Sequence, residues 1–81
     1  MNNEERSFTV GGKKVVLSKP RIEAALHNVT PNPIKKYFVR IGATDYPIKQ
    51  VLAVATGMPV AAFVATDAYR ILTRVGFEVR V

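Results

Sequence analysis

Glycine and proline punctuate this chain so often that no element in it can be long. Gly11-Gly12, Pro20, Pro31, Pro33, Gly42, Pro47, Gly57, Pro59 and Gly76 fall between short apolar runs. Proline removes a backbone donor and pushes the preceding residue out of the helical region, so helices stop or start where it stands. With 81 residues, of which 48% are hydrophobic, the short pieces can close one core. A domain of this size buries roughly 60% of the surface its unfolded chain exposes, which leaves no room for a deep substrate cleft.

Residues 1–6 read as a flexible N-terminal tail and 7–81 as one compact domain. Phe8-Thr9-Val10 and Val15-Val16-Leu17 flank Gly11-Gly12-Lys13-Lys14, a hairpin whose turn needs positive φ. Ser18 is placed to cap a helix with Pro20 in its first turn. Ile22, Ala25, Leu26 and Val29 then follow one helical face, and Thr30-Pro31-Asn32-Pro33 ends it. Tyr37-Phe38-Val39-Arg40-Ile41 is a strand by propensity, and Gly42-Ala43-Thr44-Asp45 turns the chain. Pro47 opens a second helix on the stripe Ile48, Val51, Leu52, Ala55, stopped by Gly57. Val60–Ala65 is a turn or short helix that buries Phe63. Thr66 caps a third helix on the stripe Ala68, Ile71, Leu72, Val75, and Phe77-Glu78-Val79-Arg80-Val81 alternates as a closing strand. The expected fold is α+β: three short helices on a small three- or four-stranded antiparallel or mixed sheet, in the order ββα-β-αα-β.

The residue inventory speaks against catalysis. Without cysteine there are no disulfides, thiolate metal sites or cysteine nucleophile. His27, the single histidine, has no second histidine with which to hold a transition metal. Glu4, Glu5, Glu23, Asp45, Asp67 and Glu78 make no D-x-D pair for a divalent ion, and no phosphate-cradling glycine loop occurs. Neither an enzyme, a cofactor nor a bound metal is expected. The polar N-terminus lacks a signal region, and Val51–Ala65 is too broken by Thr56, Gly57 and Pro59 to span a bilayer, so a cytoplasmic location without membrane contact is expected.

Charge supplies the functional signal. Twelve Lys and Arg oppose six acids, a formal +6, which attracts anionic partners over long range. Arg70 and Arg74 lie four apart on the third helix, off its apolar stripe and beside Tyr69 and Thr73. Guanidinium groups there suit phosphate or guanine, although a solvated helix face would look the same. A helix-turn-helix is disfavoured, because nine residues, Gly57–Ala65, separate the second and third helices where that motif has a turn of three or four. Lys19 and Arg21 stand in the first turn of the first helix, against its dipole; free N–H groups and two cations there would suit an anion. Lys35-Lys36 could touch a phosphate backbone or guard a strand edge, as could Lys13-Lys14.

Tyr46-Pro47-Ile48-Lys49-Gln50-Val51-Leu52, Ala55-Thr56-Gly57, Phe63, Ala68-Tyr69-Arg70-Ile71-Leu72 and Gly76-Phe77-Glu78-Val79 together resemble a small module at the N-terminal end of some bacterial HNH restriction endonucleases that target modified DNA. The resemblance spans about residues 37–81 and consists mostly of core and turn positions. Ile48 departs from a second proline in that pattern and Val75 from a leucine. The resemblance implies an accessory DNA-associated module without the nuclease centre, and of its polar positions Lys49 carries over.

These readings combine into a small basic nucleic-acid-binding domain, DNA first, with Arg70, Arg74, Lys49, Lys19, Arg21, Lys35, Lys36 and Tyr69 as the binding set. The alternative is a protein-interaction module, a homodimer or a small regulator of another protein, to which Val54, Ala61, Ala62 and Val64 would contribute an apolar patch.

Overall fold

The computed structural model describes residues 5–81. Gly11 and Gly12 both take positive φ, 55° and 80°, which a two-residue hairpin turn requires. They join β1 (Arg6–Val10) to β2 (Lys13–Leu17), with Phe8 opposite Val15 and Val10 opposite Lys13. Helix α1 (Lys19–Ala25) follows, with the Arg21 amide donating to the Ser18 hydroxyl at 3.2 Å. A long irregular segment leads to β3 (Phe38–Ile41), β4 (Thr44–Pro47) and α2 (Ile48–Thr56). A single 3-10 turn, Val60–Ala62, precedes α3 (Ala65–Val75).

The class is α+β with three helices, as expected, but the sheet differs. Two separate two-stranded antiparallel sheets form, β1-β2 and β3-β4. Thr44–Pro47 is a strand where a turn over 42–45 was expected, because the two residues Gly42-Ala43, with Gly42 at φ 65°, complete the reversal. Arg40 and Asp45 then face each other across the hairpin and ion-pair at 2.9 Å. The expected strand Phe77–Val81 meets β3 only at the Phe38–Arg80 bridge. Phe77 and Val79 pack against the core, whereas Val81 is exposed, so side-chain burial rather than a ladder holds this segment.

Two helix starts and one helix end also shift. α1 stops at Ala25, short of Thr30, because Asn28 reverses the chain at φ 64°; Leu26 is nevertheless buried, and Val29 packs against the core. Pro47 occupies the cap position of α2 rather than its first turn. Val64, not Thr66, precedes the first residue of α3, without a side-chain cap. Of the expected tail, residues 1–4 lie outside the described residues, while Arg6 already belongs to β1 and Glu5 pairs with Arg21 at 3.4 Å.

The core forms where the apolar stripes meet. Leu17, Ile22, Leu26, Val39, Val51, Leu52, Ile71 and Leu72 are its fully buried large side chains, with Phe63 and Phe77 beside them. Among the described residues no helix is long and apolar enough to cross a membrane.

Candidate nucleic-acid interface

The segment between α1 and β3 has no regular structure, so its path depends on side chains that reach it from elsewhere. Gln50, buried on α2, does most of this. The Asn32 amide donates to Gln50 Oε1 at 2.7 Å, and Gln50 Nε2 donates to the Thr30 carbonyl at 2.9 Å. The buried Tyr46 hydroxyl donates to the Val29 carbonyl at 2.8 Å and lies 3.3 Å from that of Leu26. Two neighbouring turns of backbone are thereby tied down, and Pro31 and Pro33 stiffen the stretch between them and Lys35-Lys36.

This route brings Lys35 and Lys36 beside the start of α2, where Lys49 stands in the first turn. The three lysines border an open hollow of about 590 Å³, together with Tyr37, Asn32, Pro33, Pro47, Gln50, Val60 and Ala65. Among the described residues no carboxylate lines it. Lys36, Tyr37 and Ala65 also border a second hollow of about 500 Å³, completed by Thr66 and Tyr69. The beginnings of α2 and α3 thus both look onto one basic trough, and helix starts favour negative charge. Lys36 Nζ lies 5.1 Å from the centroid of the Tyr37 ring. Tyr37 and Tyr69 meet edge to face at 5.5 Å between centroids.

The other expected binding residues have different surroundings. Arg70 and Arg74 flank a smaller hollow, about 230 Å³, with Phe8, Thr9 and Ile71, and Arg70 is engaged by Asp67 at 3.3 Å. Lys19 sits over the Phe77 ring at 5.3 Å. Arg21 donates to the Val16 carbonyl at 3.3 Å and pairs with Glu5. Lys19 and Arg21 therefore pack the start of α1 against its neighbours, and the Ser18 hydroxyl already takes one of that turn's amides. The eight residues divide into a lysine trough with Tyr69, an arginine face, and a pair at α1.

The cations also divide by type. Arg21, Arg40, Arg70 and Arg80 each hold a carboxylate; no lysine does among the described residues. The hydrogen bond from Arg40 to Asp45, and then the charge of Asp45, raise the Arg40 guanidinium above its ordinary pKa. The charge left unneutralised is therefore concentrated on lysines, three of which share the trough.

Two contributors were missed in the sequence. Gln50 lies on the opposite side of α2 from Ile48 and Leu52, so no periodicity marks it as buried. Tyr37, read as the first residue of a strand, lies half-buried just before β3, and its partners Tyr69 and Lys36 depend on the fold. His27 is exposed and borders a shallow hollow with Glu23, Asn28 and Thr44. No group of three or more His, Cys, Asp or Glu able to hold a metal occurs among the described residues.

No curated protein and no solved structure matches this chain. A family model, SCO5918-like, matches residues 13–81, a span that starts at β2 and takes in every helix, the second hairpin and all the residues of the trough. The chain belongs to the SCO5918-like family.

Proposed function

We propose that this domain binds nucleic acid without catalysis, through the trough lined by Lys35, Lys36 and Lys49. The observation that carries the reading is the convergence of three lysines, two from the irregular segment and one from α2, on a hollow that no carboxylate lines among the described residues. Lysine is a flexible point charge that suits phosphate without fixing base identity, so the binding is sequence-tolerant. The formal +6 steers a polyanion toward the domain. The resemblance of residues 37–81 to the restriction-endonuclease module supports DNA as the ligand and an accessory role, in the cytoplasm. Arg70 and Arg74, on a separate face with Phe8 and Thr9, add a second, weaker contact.

The test is a salt-titrated binding measurement with the purified domain. Affinity falls with rising salt at a slope of about −0.9 per phosphate neutralised on duplex and about −0.7 on a single strand. Added Mg²⁺ or Mn²⁺ leaves the nucleic acid intact. Absence of binding to any nucleic acid at low salt rejects the reading.

A second reading is a protein partner or a second copy of the chain. It is favoured by the exposure of Val54, Val60 and Val64, at 37%, 42% and 57%. Self-association that Val64→Lys abolishes, with no nucleic-acid binding, would establish it in place of the first.

A further inference from the structure

The trough holds two tyrosines besides its lysines, of which Tyr37 packs partly against the core and Tyr69 lies further out. Tyr69 is 43% exposed on α3, and its ring meets that of Tyr37 edge to face. Tyr37 is half-buried, with the Lys36 ammonium over its ring. The two hollows share Lys36, Tyr37 and Ala65 and so run into one another. Each is within the roughly 300–1,000 Å³ of sites that enclose small organic groups. A strand laid along them meets lysines at one end and a pair of aromatic rings at the other.

That order distinguishes the two forms of nucleic acid. A duplex keeps its bases stacked on one another and offers lysines only its backbone. An unpaired base presents its face and can stack on a tyrosine, which is how sequence-tolerant single-strand binders combine a basic groove with aromatic platforms. Lys36 serves both parts, since it lies on the Tyr37 ring and borders both hollows.

We propose that the trough is a single-strand site: Lys35, Lys36 and Lys49 hold phosphates while an unpaired base stacks against the Tyr37–Tyr69 pair. The inference rests on the nucleic-acid reading above and adds the ligand's strandedness and the residues that sense it.

The experiment compares three fluorescently labelled ligands of equal length, about 12 nucleotides, with the full chain: an oligothymidylate, a fully abasic strand carrying the same phosphates, and a duplex. The oligothymidylate is expected to bind about 5- to 150-fold more tightly than the abasic strand, the worth of one base–aromatic stack, and more tightly than the duplex. Tyr69→Leu brings the ratio of thymidylate to abasic affinity most of the way to one; Tyr69→Phe, which keeps the ring, retains the ratio. The chain has three tyrosines and no tryptophan, and Tyr46 is buried. All three tyrosines emit, but a ligand in the trough reaches only Tyr37 and Tyr69, so ligand-induced quenching reports on that pair; it is expected with oligothymidylate and not with the abasic strand. Equal binding of the unaltered protein to the thymidylate and abasic strands, or tighter binding to duplex, overturns the single-strand site and leaves phosphate binding standing. Absence of binding to all three ligands removes the nucleic-acid reading itself.

Discussion

Gln50 holds Asn32 across eighteen residues of chain, its Oε1 taking the Asn32 amide at 2.7 Å while its Nε2 reaches back to Thr30. One amide side chain thus satisfies a donor and an acceptor of a segment that has no helix or sheet to do so. Because the same segment carries Lys35 and Lys36, this pair of hydrogen bonds joins stability to the shape of the trough.

Gln50→Leu is therefore expected to lower stability by about 1–3 kcal/mol, the cost of leaving partly buried backbone groups unpaired. It is also expected to weaken nucleic-acid binding although residue 50 carries no charge. Gln50→Glu keeps the acceptor for Asn32 but turns a carboxylate toward the Thr30 carbonyl, and it should destabilise more. Denaturant melts of the two variants, with binding measured on each under native conditions, check both points.

Leu72 has no solvent exposure, and its carbonyl receives the amides of Gly76 and Phe77 at 3.2 and 3.0 Å. Leu72→Ala removes the side chain from the meeting point of the helices and should cost about 2–5 kcal/mol. A midpoint shift in urea equivalent to less than about 1 kcal/mol would show that the site collapses around the smaller residue.

The lysine trough and the arginine face predict different losses. Replacing Lys35, Lys36 and Lys49 together by alanine should leave the fold intact, because none is a core residue, and should reduce the salt slope on a single strand by about 2. Replacing Arg70 and Arg74 should reduce it less, since Arg70 already spends part of its time on Asp67. Salt titrations of the two variants side by side decide the ranking; a larger effect from the arginine pair would move the interface to the Phe8–Arg74 face.

The helices were legible because burial follows period within one segment. Ile22 and Leu26, Ile48, Val51 and Leu52, and Ala68, Ile71 and Leu72 are all buried as their spacing requires. Strand pairing is a property of two segments, and here the sequence misled. Thr44-Asp45-Tyr46-Pro47 contains residues typical of turns yet pairs throughout with β3. Phe77–Val81 alternates well yet finds a partner at one position. The trough was half legible: Lys35, Lys36 and Tyr69 were picked out by charge and helix position and Lys49 by the family resemblance, but Lys19 and Arg21 were picked out as well, and the fold sets them against Phe77, Val16 and Glu5 instead. What gathers the three lysines is the return of an irregular segment under Gln50, and no local pattern encodes that.

The Phe38–Arg80 bridge has a kinetic consequence. Its two hydrogen bonds, at 2.9 and 2.8 Å, join positions far apart in sequence, and closing so long a loop carries an entropic cost that a two-bond contact does little to offset. The bridge is therefore expected to form after the helices have packed and to open before they come apart. Amide hydrogens of Phe38 and Arg80 should exchange with solvent together, by local opening, well ahead of those inside α3 whose release needs global unfolding. The last segment of the chain is in this sense a latch whose equilibrium is separable from that of the core it fastens.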